Sequence, residues 1–217
     1  MNEQSVTSSF SKGSKTKDKI LKIALKLFSA KGFKATTVRD IAGAVGIKQS
    51  ALYNHFKNKD EILETLVSNL TSSAIVTIFK DKETQELHKQ GKSLLLTIAT
   101  TFKLLSFDVQ NEALLKLLMQ EIYSNAQIRE IYNEYFYQEN VKVLSKHFFM
   151  MMQDDMIKSS DPLLLANEFF APLFFYQMQV SLLKLDKKST SSVVSLFEKH
   201  VDHFWDSIRI EKQETLF

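Results

Sequence analysis

Between Thr16 and Leu70 the apolar positions recur every three or four residues in short runs broken by glycine or polar residues, the pattern of short amphipathic helices. Ile20, Ile23, Ala24, Leu27 and Phe28 share one face of a helix predicted from about Thr16 to Lys31, and Gly32 ends it, with Phe33 plugging the junction. Val38, Ile41, Ala42 and Val45 form a second stripe. It opens at Thr37, whose hydroxyl can cap a free backbone N–H, and Asp40 three residues on completes a Thr-x-x-Asp capping box. Gly46 stops it, because a left-handed residue costs glycine little. A third helix, roughly Lys48 to His55, turns only Ala51 and Leu52 inward, and Phe56 closes the unit. Asn58 with Glu61 three residues later starts a fourth helix through Ile62, Leu63, Leu66 and Leu70, running to about Phe79.

Beyond it a charged break, KDKETQELHKQGK, reads as a linker or loop. Helices are predicted from about Lys92 to Phe107, through Leu95, Ile98, Ala99, Phe102 and Leu105, and from Glu112 to Tyr123. A long one spans about Gln127 to Met152, with Ile131, Tyr135, Val141, Leu144, Phe148 and Met151. Asp161-Pro162 is an N-cap followed by proline in the first turn, and Pro172 inside that helix predicts a kink near Phe169. A last helix, about Ser189 to Ile210, carries Val193, Phe197, Val201, Phe204 and Ile208 at 3-4 spacing, with Val194, His200 and Trp205 alongside.

Two prolines and five glycines against 44% apolar residues favour long helices over the frequent turns of a sandwich or barrel, so the fold class is all-α. At 217 residues a small domain joined to a larger one is expected. The division predicted is a disordered basic arm over 1–14, a helix-turn-helix domain over 15–75 and a larger helical domain over 76–217. Charge follows that division: residues 1–60 hold 12 Lys+Arg against 4 Asp+Glu, net +8, and the remainder is net −5. With no cysteine there is no disulfide framework and no thiolate chemistry, which fits a cytoplasmic protein. The polar N-terminus does not resemble a signal peptide. Asn167, Glu168, Gln177 and Gln179 interrupt the best membrane candidate, Pro162–Leu185, so no membrane span is expected. None of the hydrolase, phosphate-loop or zinc-protease motifs occurs. His200 and His203 lie three apart beside Glu198 and Asp202, without the i, i+4 spacing and third ligand of a helical metal site, and read as a charged outer face. No catalytic residue, metal or cofactor is expected.

The stretch from Thr37 to Lys59 reads as a helix-turn-helix, in which the second helix enters the major groove of double-stranded DNA. Arg39 faces outward beside a phosphate, and Lys48, Gln49, Ser50, Tyr53, Asn54 and His55 are left for something outside the fold. Lys59 stands among the free N–H groups of the fourth helix, and Lys12, Lys15 and Lys17 can reach the DNA backbone. The competing reading is a pair of amphipathic core helices with an ordinary solvated face.

The ordered set Ile20-x3-Ala24-x3-Phe28-x3-Gly32-Phe33, Thr36 to Ala42, Val45-Gly46-Ile47, Leu52-Tyr53, His55-Phe56, and Lys59 with Leu63 resembles the DNA-binding domain of the TetR family of bacterial transcriptional regulators. That resemblance covers about a fifth of the chain. It implies that Thr37, Arg39, Tyr53, His55 and Lys59 bind phosphates, while Gln49 and Ser50, with Lys48, face base edges; Asn54 and Lys57 complete the DNA-binding set. The chain departs from the family at Lys48, where Ser or Thr often caps the reading helix.

The resemblance further implies a homodimer on a palindromic operator, released by a ligand that changes the separation of its reading heads. Dimer residues expected on this basis are Phe175, Leu182, Val193, Phe197, Val201, Phe204, Trp205 and Ile208, the alternative being that these helices are intramolecular core. A pocket for a small apolar or aromatic ligand would draw on Phe102, Met119, Tyr123, Phe148, Met152, Phe170, Phe174, Gln177 and Met178, with Glu168 a second polar contact. The function expected is a sequence-specific repressor. Its rival is a helical apolar-ligand carrier or enzyme with an incidental basic N-terminal region.

Overall fold

A computed structural model describes the backbone of residues 4–71, 78 and 82–211 and, within these, the side chains other than those of 4–14, 69–71, 82–85 and 135–137. The helices are α1 (Gln4–Lys31), α2 (Val38–Val45), α3 (Gln49–Tyr53), α4 (Lys59–Thr71), α5 (Lys92–Leu105), α6 (Val109–Glu121), α7 (Ala126–Ile131), α8 (Glu139–Gln153), α9 (Pro162–Leu185), α10 (Ser191–Val194) and α11 (Leu196–Ile208). A 3-10 segment, Lys82–Gln90, precedes α5, and a π-helical turn, Tyr132–Gln138, joins α7 to α8. The chain divides into two compact units, Met1–Leu70 with Val109–Tyr132, and Thr71–Asp108 with Asn133–Phe217.

In the first unit α1 begins at Gln4, so residues 4–14 are helical where an unstructured arm was expected. No proline interrupts the segment, and once the Ile20–Phe28 face is packed each added residue costs roughly 0.7 kcal/mol or less, apart from about 1 kcal/mol at Gly13. The buried stripe is Ile20, Leu21, Ala24, Leu25 and Phe28, while Ile23 and Leu27 are only half-buried. The stripe is rotated from the predicted one because α1 packs on α6 as well as on α2. Leu114, Leu115, Leu117 and Leu118 are the buried apolar residues α6 brings to this unit.

The second unit is built on α9 against α8 and α11 against α5. Its core joins Phe148, Phe169 and Phe197, all fully buried, to Phe102, Phe170 and Phe204. Phe169 meets Phe204 at 5.3 Å and Phe170 at 5.8 Å between ring centroids. The loop after α8 is tied to the end of α11 by an isolated antiparallel bridge between Ile157 and Arg209, with Lys158 N–H donating to the Ile208 carbonyl at 2.7 Å.

Several sequence expectations are corrected here. The charged break is a 3-10 helix over Lys82–Gln90 rather than a free linker, because Leu87 packs on the core and His88, 6% exposed, lies 2.9 Å from the Asp154 carboxylate. The last helix is broken at Ser195. Phe197, Val201, Phe204 and Ile208 are buried in their own unit's core, at 0%, 0%, 6% and 7% exposure, so they offer no surface to a second chain. Phe204 meets Phe148 of α8 and Phe169 of α9, and Phe197 meets Tyr176 of α9, so this stripe packs within the unit. Val193 and Trp205 are half-buried against the same core. His200 is not on a solvated face: it stacks on Phe169 at 5.4 Å, and its Nε2 is 2.9 Å from the Phe169 carbonyl oxygen. Phe79 and the side chains of Lys12 and Tyr135 lie outside the described residues. Among the described residues no helix is long and apolar enough to cross a membrane, and no group of three or more His, Cys, Asp or Glu could hold a metal ion.

Candidate nucleic-acid interface

The two short helices of the predicted reading device are held at both ends by local chemistry. At the start of α2 the Asp40 amide donates to the Thr37 hydroxyl at 3.1 Å, and the Thr37 amide donates to Asp40 Oδ2 at 2.9 Å, the reciprocal capping box. The backbone and hydroxyl hydrogen bonds from Thr37 hold the Asp40 carboxyl below its ordinary range. Gly46 has φ +81°. Its amide donates to the Gly43 carbonyl while that of Ile47 donates to the Ala42 carbonyl, at 3.1 and 3.0 Å, the paired bonds of a Schellman ending. Lys19 Nζ donates to the Val45 carbonyl at 2.9 Å and places a cation at the helix C-terminus. Sequence reasoning missed Lys19, since its side chain acts 26 residues away.

Ile41, Ala42 and Val45 are buried, and Leu52 is the one fully buried residue of the five in α3. Phe56, 1% exposed, closes the unit, with Lys17 Nζ 5.2 Å from its ring centroid. Ala51 is half-buried. Lys48, in the N-cap position of this five-residue helix, makes no side-chain capping bond. Lys48, Gln49, Ser50, Tyr53 and Asn54 are exposed on α3 and its flanks, and Thr37, Arg39 and Lys57 are exposed around them. Gln49 Nε2 lies 3.4 Å from the Tyr53 hydroxyl, one turn along the same face. His55 and Lys59 are half-buried.

Lys59 has a second role that its sequence position did not show. Its ammonium donates to the carbonyls of Phe33 at 2.7 Å and Thr36 at 2.9 Å, and sits 4.3 Å over the Phe33 ring. Phe33 in turn packs edge-on to Phe28 at 5.1 Å. An ammonium has three donors, so one is left for a phosphate. The α4 start is capped as expected, with the Glu61 amide donating to Asn58 Oδ1 at 2.8 Å.

The residues expected around a ligand fall in both units. Met119 and Tyr123 belong to the first unit, where Tyr123 is 93% exposed. Phe102, Phe148, Met152, Phe170, Phe174, Gln177 and Met178 belong to the second. Phe102, Phe148 and Phe170 are core residues, and Phe102 and Phe170 meet at 5.9 Å. Gln177, 4% exposed, is an amide on the buried face of α9 with Phe169, Phe170 and Leu173, whereas Glu168 is exposed. An open depression of about 440 Å³ on the second unit is lined by Ser145, Lys146, Phe149, Met150 and Pro162, none of them an expected ligand residue. Phe175 and Leu182, expected at a dimer interface, are 51% and 50% exposed.

The sequence profile described as bacterial regulatory proteins, tetR family, matches residues 20–66, which hold α2, α3 and most of α4. The transcriptional repressor KstR2 of Mycolicibacterium smegmatis is 45% identical over 51 residues, 24% of this chain and only 25% of that protein's length. The probable transcriptional regulator YttP of Bacillus subtilis is 29% identical over 159 residues, 71% of each chain. Among solved structures, that of SmeT in complex with triclosan shares the fold at a TM-score of 0.69, with 17% identity over 93% of this chain and 94% of that one. A capped two-helix unit and the family profile laid over it lead to one statement: residues 20–66 are similar to the bacterial regulatory proteins of the tetR family, and the chain shares the helical fold of solved TetR-family regulators.

Proposed function

We propose that this regulator is a homodimeric repressor that reads a palindromic operator with α3 and leaves it when a small, largely apolar ligand binds. The observation that carries the reading is the exposed row Lys48, Gln49, Ser50, Tyr53 and Asn54 on a helix anchored by Leu52. Gln can pair bidentately with adenine and Lys with guanine. Thr37, Arg39, Lys57, His55 and the remaining donor of Lys59 serve the phosphates. DNA reading is assigned to the helices within residues 15–75, and ligand binding and dimerisation to the second unit.

One short reading helix makes few base contacts, and a two-fold pair doubles them on a palindrome. A surface suited to pairing runs along α9: Leu164, Glu168, Ala171, Phe175, Met178, Leu182 and Leu185 follow each other at alternating spacings of four and three. Met178 is half-buried and the other six are exposed. We therefore assign the dimer seam to this face of α9, with Val193 at its margin, in place of the buried stripe of α11. The ligand is assigned to the second unit, where the Gln177 amide gives an otherwise apolar wall of Phe102, Phe170 and Phe174 one polar handle. SmeT, which shares the fold, is seen with triclosan. Release follows only if the ligand prefers the conformer whose reading heads are mis-spaced.

The test is retention of sheared genomic DNA by purified wild-type protein and by Leu182→Glu at about 50 and 200 mM salt. A minority of fragments should persist on the wild type at the higher salt and be lost by the variant. Equal retention of all fragments at both salts by both proteins would contradict the reading.

A further inference from the structure

Glu121, the last residue of α6, is a carboxylate only 7% exposed. Its Oε1 accepts the Phe33 amide at 2.9 Å, a buried bond across 88 residues of sequence, and its Oε2 accepts the Ser124 hydroxyl at 3.2 Å. Phe33 is thus fixed from both sides: its N–H by Glu121, and its carbonyl by Lys59 at 2.7 Å. The same ammonium holds the Thr36 carbonyl, one residue before the capping box that starts α2. Gly32 serves this arrangement twice. It adopts φ +88°, and a Cβ there would stand 3.3 Å from Glu121 Oε1.

Resting on the proposed DNA reading, we infer that Glu121 is a positioning residue for the reading head. It touches no DNA. It fixes the peptide at Phe33, so that the Phe33 and Thr36 carbonyls form the seat for Lys59, and through that seat it sets the start of α2 against the start of α4. The acceptor oxygen carries the role, and the negative charge does not. The donor it serves is a backbone amide, which has no sequence signature.

The experiment compares wild type, Glu121→Gln, Glu121→Asp and Glu121→Leu as full-length proteins, using the genomic fragment that wild type retains most strongly at about 150 mM salt. Gln keeps an acceptor in the same place and should stay within about threefold of wild-type affinity. Asp withdraws the acceptor by one methylene and Leu removes it, and both should bind about tenfold or more weakly, the cost of leaving the buried Phe33 amide without its acceptor. The salt slope should not change, since no phosphate contact is removed. Amide exchange at Phe33 in the DNA-free proteins should be accelerated in Asp and Leu but not in Gln. Wild-type affinity and wild-type Phe33 protection in both Asp and Leu would overturn the inference. So would a lowered melting temperature in all three variants without loss of affinity in the folded protein. If Leu fails to fold, Asp carries the same decision. If wild type retains no fragment, the DNA reading itself has failed, and Phe33 exchange, which needs no DNA, separates that outcome from failure of the Glu121 contact.

Discussion

Replacing Lys59 by methionine keeps the length and most of the packing of the side chain while deleting the ammonium. Two carbonyl partners are lost, Phe33 at 2.7 Å and Thr36 at 2.9 Å, together with a cation over the Phe33 ring at 4.3 Å. Phe33 is 6% and Thr36 0% exposed, so water replaces the lost donor poorly. Hydrogen bonds to charged groups contribute about 1.5–3 kcal/mol each and a cation–π contact about 0.5–1. Because Lys59 is half-buried, the two bonds are discounted, giving a net destabilisation of about 2–4 kcal/mol. Segment-resolved hydrogen exchange on the DNA-free protein is the assay. The peptides spanning α1 to α4 should lose roughly thirty- to several-hundred-fold protection, at about 1.4 kcal/mol per factor of ten. Fluorescence of the single tryptophan, Trp205, reports the second unit and serves as an internal comparison. If the third Lys59 donor meets a phosphate, the salt slope of DNA binding also falls by about 0.9. Unchanged protection across α1 to α4 would refute the clamp.

Three further outcomes follow from the second unit. Gly91→Ala should destabilise it by about 1–3 kcal/mol in urea unfolding followed by Trp205 emission. Gly91 has φ +53°, and an added Cβ would come within 2.9 Å of Trp205 and 3.1 Å of Met156; an unchanged midpoint would count against this packing. Leu182→Glu should convert dimer to monomer in sedimentation with little loss of monomer stability. Phe197→Ala should cost about 3–5 kcal/mol of stability with the dimer intact whenever the protein is folded, and the reverse pattern would move the seam back to α11. Burial, aided by the charge of His88, lowers the pKa of His147; burial also lowers that of His200, partly offset by its bond to the Phe169 carbonyl. Below about pH 6.5 the unfolded chain then binds protons that the folded one does not. Stability should be full above that value and decline as pH falls through it, and a urea midpoint equal at pH 7.5 and 5.5 would contradict the assignment.

The reading unit was legible because its determinants are local. The Thr37–Asp40 box, the left-handed Gly46 and the lone inward Leu52 act within a few residues of where they are written. What the sequence left open is decided by distant partners. A stripe such as Phe197, Val201, Phe204 and Ile208 says that one helix face is buried, but not whether its own chain or a second copy covers it. Within the chain Phe197 and Phe204 pack against Phe148, Phe169 and Tyr176, which is a burial that periodicity alone does not show. On α9 both faces are apolar, one supplying Phe169, Phe170 and Leu173 to the core and the other exposing Phe175 and Leu182, so no single stripe could be read. Helix α6 gave no sign that it packs with α1, and Glu121 at its end looks like any solvated acid. The start of α1 was misplaced because Ser, Thr and Lys lower helix preference only slightly, and propagation from a packed face outweighs them.

The central claim is that α3 reads bases. It is tested most directly by selecting genomic fragments on the purified protein at about 150 mM salt, sequencing what is retained, and repeating the selection with Gln49→Ala. The account predicts an enriched palindrome for the wild type, and for the variant the same palindrome with preference relaxed at one symmetric pair of positions. An identical motif from both proteins would remove Gln49 from the base contacts, and retention without any motif would contradict sequence reading by α3 altogether.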